Sequence, residues 1–255
     1  MLKMYIDSFL RIPFDFFTTD IDNTFSKVGS KGVFLYSYLL YSQGSNSSCT
    51  VNIKMIQTFL NRDYDKRPEV NYGKKNHKIE LLKDKDTILK VLKALHNCEL
   101  IKINNIDSIV NINSFIVIEC NIFKNSNYIA ISNKLYLDKI YKIGHIGWSI
   151  LCLLSKLFNN SYGSKSCEGF ANPSQEYISS VIKVNRNTIS AYAELLEKLK
   201  LIKISKQGFK VVGTDGFGNE IKEYLPNNYV VKHMLQENKY YLKHDSKKKI
   251  KEKKL

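Results

Sequence analysis

Apolar positions along the chain follow two periods, and the order in which the periods appear is repeated. Ile189, Ala193 and Leu196 recur at i, i+4, i+7, which is one face of a helix. Ile88, Leu92 and Leu95 do the same in the first half. Each helical pattern runs into Leu-Ile-Lys-Ile, at residues 100–103 and 201–204, where the period falls to two and a strand is expected. The segments 87–103 and 188–204 align without a gap at an offset of 101, and both begin Thr-Ile.

The repeat extends upstream. The apolar run from Gly32 to Leu40 matches the run from Gly147 to Leu154. Each follows an extended apolar lead-in, Phe9 to Phe17 and Tyr128 to Ser132, and each precedes a short middle helix, Ile53 to Leu60 and Ser174 to Ile182. Each half therefore reads strand, helix, short helix, amphipathic helix, strand, turn, strand. Asn185 is placed as an N-cap. Lys206-Gln207-Gly208 is read as the turn that returns Phe209–Val212 as the partner of the second Leu-Ile-Lys-Ile strand. The expected class is α+β, mostly helical, with a first domain over 1–125, a second over 126–232 and a basic tail over 233–255.

The halves differ at one place. Ile56, Phe59 and Leu60 align with Ile178, Val181 and Ile182, yet Thr87 lies 31 residues after Ile56 while Thr188 lies 10 after Ile178. The first half thus carries 21 extra residues, around 61–83, rich in Lys, Arg and Asn and including Lys74 and Lys75. Their composition is that of a basic loop, reaching a phosphate backbone or simply solvated.

Composition narrows the chemistry. Hydrophobic residues are 44% and charged residues 25% of 255, as in folded proteins. The net charge of +15 favours a polyanionic partner, although lysine also serves solubility. The charge is uneven: residues 1–30 carry −1, residues 183–206 carry +4 and residues 232–255 carry +6. Five cysteines stand at wide spacings without a Cys-x-x-Cys, so free thiols in a reducing cytoplasm are expected, with no metal site. There is no phosphate-binding glycine loop, nucleophile elbow or His-x-His pair, so no catalytic residue and no cofactor are expected. Asp7 and Arg11 interrupt the start before a signal sequence could form, and the apolar stretch Trp148–Leu154 is too short to span a membrane.

Residues Asn172 to Ile189 resemble the helix-turn-helix of bacterial winged-helix proteins: Pro173 and Ser174 open the first helix, Ile178, Val181 and Ile182 face inward, Val184 fills the turn, and Thr188-Ile189 begin the second helix. The resemblance implies two tandem winged helix-turn-helix domains. In such a fold the second helix enters the major groove and its first residues reach base edges. Arg186, Asn187, Ser190 and Ala191 would then face DNA, with Lys183 beside them and Lys206 and Lys210 on the wing. In the first half Lys85, Lys90 and Lys93 suit phosphates, and the turn Asn104–Ser108 has no basic residue to offer.

Two such domains, with Phe9–Phe17 followed by Gly32–Tyr36 as the entry segment, resemble replication initiators of low-GC Gram-positive plasmids and winged-helix replisome organisers of phages. That resemblance implies binding of double-stranded DNA at an origin and recruitment of host replication proteins. A transcriptional regulator, a conjugation or partition accessory protein, and a protein-interaction scaffold are the alternatives; a homodimer is left open.

Overall fold

The computed structural model describes residues 9–17, 24–43, 47–61, 68–72, 75–79, 82–106, 111–121, 127–162 and 170–232. It is a mixed α+β protein of helices and small antiparallel sheets. The first half runs β1 (Phe9–Pro13), a 3-10 turn (Phe14–Phe17), α1 (Thr24–Tyr41), β2 (Ser48–Val51), α2 (Ile53–Leu60), β3 (Glu69–Tyr72), β4 (Lys75–Lys78), α3 (Lys85–Asn97), β5 (Ile101–Ile103) and β6 (Ile116–Cys120). The second runs β7 (Tyr128–Ser132), α4 (Asn133–Tyr162), α5 (Gln175–Ile182), α6 (Arg186–Lys198), β8 (Ile202–Ser205), β9 (Phe209–Thr214), β10 (Glu220–Tyr224) and β11 (Asn228–Val231).

The repeat is physical as well as textual. In the first half β6 lies between β2 and β5. In the second, β11 pairs with β8 and bridges to Ala171 through Tyr229, so Ala171 occupies the place of β2. Asp84 and Asn185 cap α3 and α6 alike: each side chain accepts from the backbone N–H and the hydroxyl of the threonine three residues on, Thr87 or Thr188, at 2.7–2.9 Å. That shared cap explains why both segments begin Thr-Ile. Ile88, Leu92 and Leu95 are buried, as are Ile189, Ala193 and Leu196.

The two halves share one core. β1 pairs antiparallel with β7, from Phe9 opposite Ser132 to Pro13 opposite Tyr128, and α1 packs against α4. The sequence boundary at 125/126 is thus crossed by a sheet and a helix pair. Both helices kink at a glycine held in the left-handed region that side chains avoid, Gly29 (φ 64°) and Gly144 (φ 61°). The residues that follow meet across the halves, Ser30 Oγ lying 2.8 Å from His145 Nδ1. Deeper in, Trp148 Nε1–H donates to Ser37 Oγ at 2.9 Å. The Lys156 ammonium donates to the carbonyls of Phe14 and Phe17, at 3.2 and 2.6 Å, and ties the 3-10 turn to α4. Cys49, Cys120 and Cys152 are buried free thiols and Cys98 is a half-buried one; Cys167 lies outside the described residues.

Two expectations are corrected here. Phe209–Thr214 does not pair with β8. β8 pairs with β11, and β9 pairs with β10. The Leu225 amide donates to the Gly208 carbonyl at 3.0 Å, so the two pairs follow one another as a single long arm. Lys206–Gly208 is the joint within that arm, with Gly208 at φ 79°, and the reversal lies at residues 215–219. The described part of the insertion is not a loop either. β3 and β4 form a hairpin, and Val70, Ile79 and Leu82 give it buried anchors that basic composition alone hides.

Candidate nucleic-acid interface

Each half presents a helix pair followed by strands. In the second, α5 is capped by the Ser174 hydroxyl, which accepts from Tyr177 N–H at 3.0 Å. Lys183, exposed and left-handed (φ 57°, ψ 39°), ends it and turns the chain into α6 within three residues. The Ser179 hydroxyl donates to the Val184 carbonyl at 2.7 Å and holds that turn. In the first half α2 is capped by Asn52, whose Oδ1 accepts from Met55 N–H at 2.7 Å, and the β3–β4 hairpin separates it from α3.

The exposed side of α6 is narrow. Arg186 and Asn187 are exposed at its start, Ser190 is half-buried, and Glu194, Glu197 and Lys198 continue the stripe. Arg186 pairs with Glu176 of α5; both side chains are solvent-exposed, so the pair holds little energy and can exchange for a phosphate. Hydrogen bonding from its own amide and from Ser174, with the Arg186 guanidinium beside it, holds the Glu176 carboxyl below the usual carboxylate range. Ser190 Oγ accepts from Gln175 Nε2 at 2.9 Å.

Ala191, expected to face outward, is buried, and this is a correction. Thr188, Ala191 and Leu195 form an i, i+3, i+7 seam that is buried throughout, and β3 packs against this helix. The seam cannot be read as core from helical period alone; β3, which packs against this helix, lies far upstream in the chain.

The equivalent seam on α3 is open. Thr87, Lys90 and Ala94 occupy those positions; Lys90 is exposed and the other two are half-buried. The exposed line of α3 is Asp86, Lys90, Lys93 and Asn97, and Lys85 is half-buried at its start. Lys75 opens β4 opposite Tyr72; Lys74 lies outside the described residues. So do residues 107–110 of the first turn and the basic tail 233–255. On the arm Lys206 is exposed, and Lys210 is exposed but paired at 2.8 Å with Glu223.

Sequence reasoning missed two features of this surface. Asp84 as the cap of α3 was visible in principle, three residues before a threonine, as Asn185 is. The length of the arm was also signalled, by the turn residues Asp215-Gly216-Phe217-Gly218-Asn219 between Phe209–Thr214 and Glu220–Tyr224. Among the described residues there is no group of His, Cys, Asp or Glu able to hold a metal ion, and no helix long and apolar enough to cross a membrane. Comparison with protein-family models, curated proteins and solved structures finds no match for this chain.

Proposed function

We propose that the chain is a double-stranded DNA-binding protein made of two winged helix-turn-helix units, and that it acts in replication initiation at a plasmid or phage origin. The carrying observation is the twice-built unit: two capped helices, then an antiparallel hairpin whose second strand lies centrally beside a strand or bridge from before the helices. In that reading α3 and α6 are the helices presented to the groove. The open lysine line of α3, Lys90 and Lys93, supports phosphate contact. Arg186 and Asn187, exposed at the first turn of α6, supply the side chains that match guanine and adenine edges. The net charge of +15 supports association with a polyanion.

The test is a titration of labelled random duplex with the full chain across a salt series, followed by selection of bound sequences from random DNA. Expected is non-specific binding with Kd on the order of 1–100 µM at physiological salt, tightening steeply as salt falls, and enrichment of a defined site. Absence of duplex binding at low salt refutes the reading. A selected site lying in an origin supports replication; one in a promoter or transfer region supports instead a transcriptional regulator or a conjugation or partition accessory protein using the same interface.

A further inference from the structure

The arm formed by β9 and β10 stands away from both helix units. Every residue of the two strands is exposed, and several are large and apolar: Phe209, Val211, Val212, Ile221 and, at the end, Tyr224. At the tip, Asp215 Oδ1 accepts from the amides of Phe217 and Asn219 at 2.9 and 2.8 Å, which fixes the reversal and leaves Phe217 93% exposed. A ribbon that follows a DNA groove is expected to be cationic. This one is not: between Phe209 and Tyr224, Lys210 and Lys222 stand against Asp215, Glu220 and Glu223, a net charge of −1. It is a weakly charged, apolar projection on a chain of +15, and so a place where two copies can approach without the repulsion the rest of the chain imposes.

The two edges of the arm differ. The register shifts between Ile221 and Lys222, where β9 carries an extra residue; such a bulge twists a strand and discourages further pairing. β10 is regular, and among the described residues no strand lies along its outer edge. An exposed, unbulged edge is a template for another strand.

We propose that β10 is a homodimer contact, in which two copies pair antiparallel about a two-fold axis at Ile221. Antiparallel pairing of a strand with its own copy centres on one residue, and only one centre in β10 is self-complementary. With Ile221 opposite the second copy's Ile221, Glu220 lies opposite the second copy's Lys222 on one side and Lys222 opposite its Glu220 on the other. Both pairs share one face of the sheet. Within one chain the same two groups already lie 3.3 Å apart, which places them on that face. Centring on Lys222 would instead set two ammonium groups against each other. The chosen register also carries each tip, with Phe217, towards the second copy's Tyr224 and Leu225, which are 79% and 37% exposed in the single chain. The result is a four-stranded sheet, β9–β10 continued by the second copy's β10–β9, that covers the arm's edge and part of its apolar surface.

Sedimentation of the full chain over a concentration series, without DNA, tests this. The wild type is expected to dimerise. Lys222→Glu and Glu220→Lys, each alone, turn two attractive cross-strand pairs into two repulsive ones and should weaken the dimer by roughly tenfold or more. The two single variants mixed in equal amounts restore both pairs and should associate at wild-type strength, as should the double exchange Glu220→Lys with Lys222→Glu. Both side chains are solvent-exposed, so circular dichroism should be unchanged. A wild type that stays monomeric, single reversals that dimerise like the wild type, or a mixture of the two that fails to associate would each overturn the proposal.

Discussion

Removing the Ser37 hydroxyl is a direct probe of how the two halves are joined. Its oxygen accepts from the Trp148 indole at 2.9 Å and its proton goes to the Val33 carbonyl at 2.8 Å. Both Ser37 and Trp148 are 0% exposed. Ser37→Ala removes one oxygen and leaves the indole N–H buried without a partner, which costs about 1–3 kcal/mol. The Val33 carbonyl loses only a supplementary bond, since such i−4 back-bonds add little to a helix. Thermal and urea unfolding of the pure chain should therefore show a fall in Tm of roughly 2–10 °C with an unchanged urea slope. In a Trp148→Phe background there is no indole N–H to orphan, so the same substitution should cost ~1 kcal/mol less. Because β1 pairs with β7 and α1 packs on α4, both halves should unfold in one transition. A Ser37→Ala protein as stable as the wild type, or an equal cost in both backgrounds, would refute the buried link. Two separated transitions would refute the shared core.

The remaining predictions concern the proposed interface and the backbone. Lys90→Ala and Lys93→Ala should each reduce the magnitude of the salt slope of duplex binding by about 0.9, so that between 50 and 200 mM salt the affinity changes about 3.5-fold less for each lysine removed; an unchanged slope in the double variant removes α3 from the interface. Arg186→Ala should cost ~1–3 kcal/mol on the selected duplex and clearly less on random duplex, measured by competition at fixed salt; equal losses on both would mean that α6 does not read bases through this residue. Gly144→Ala places a side chain at φ 61° within the kink of α4 and should destabilise by about 1–3 kcal/mol in denaturant melts; a neutral effect would mean that the kink is not held by its surroundings.

The sequence by itself determined the local elements, because these rest on forces acting within a few residues. The helical faces of α3 and α6 follow from apolar spacing, and the α6 start follows from Asn185 accepting from Thr188. The middle helix Ile53–Leu60 and the strand Tyr128–Ser132 lie where the pattern puts them. What only the tertiary structure decided is what covers a face and which strand pairs with which. Ala191 has the spacing of a surface residue and is buried, on a helix against which β3, far upstream, packs. Phe209–Val212 has the pattern of a partner for β8, yet β11 takes that place. Tyr229 and Val231 are the residues buried at the sheet, and β9 and β10 are left to pair with each other in solvent. The lead-in strand β1 shows the same limit. Its alternation specifies a strand with one buried side, but the choice of β7 as its partner is made by the packing of α1 on α4. A period says which side of an element wants to leave water; only the assembled chain supplies the surface that removes it.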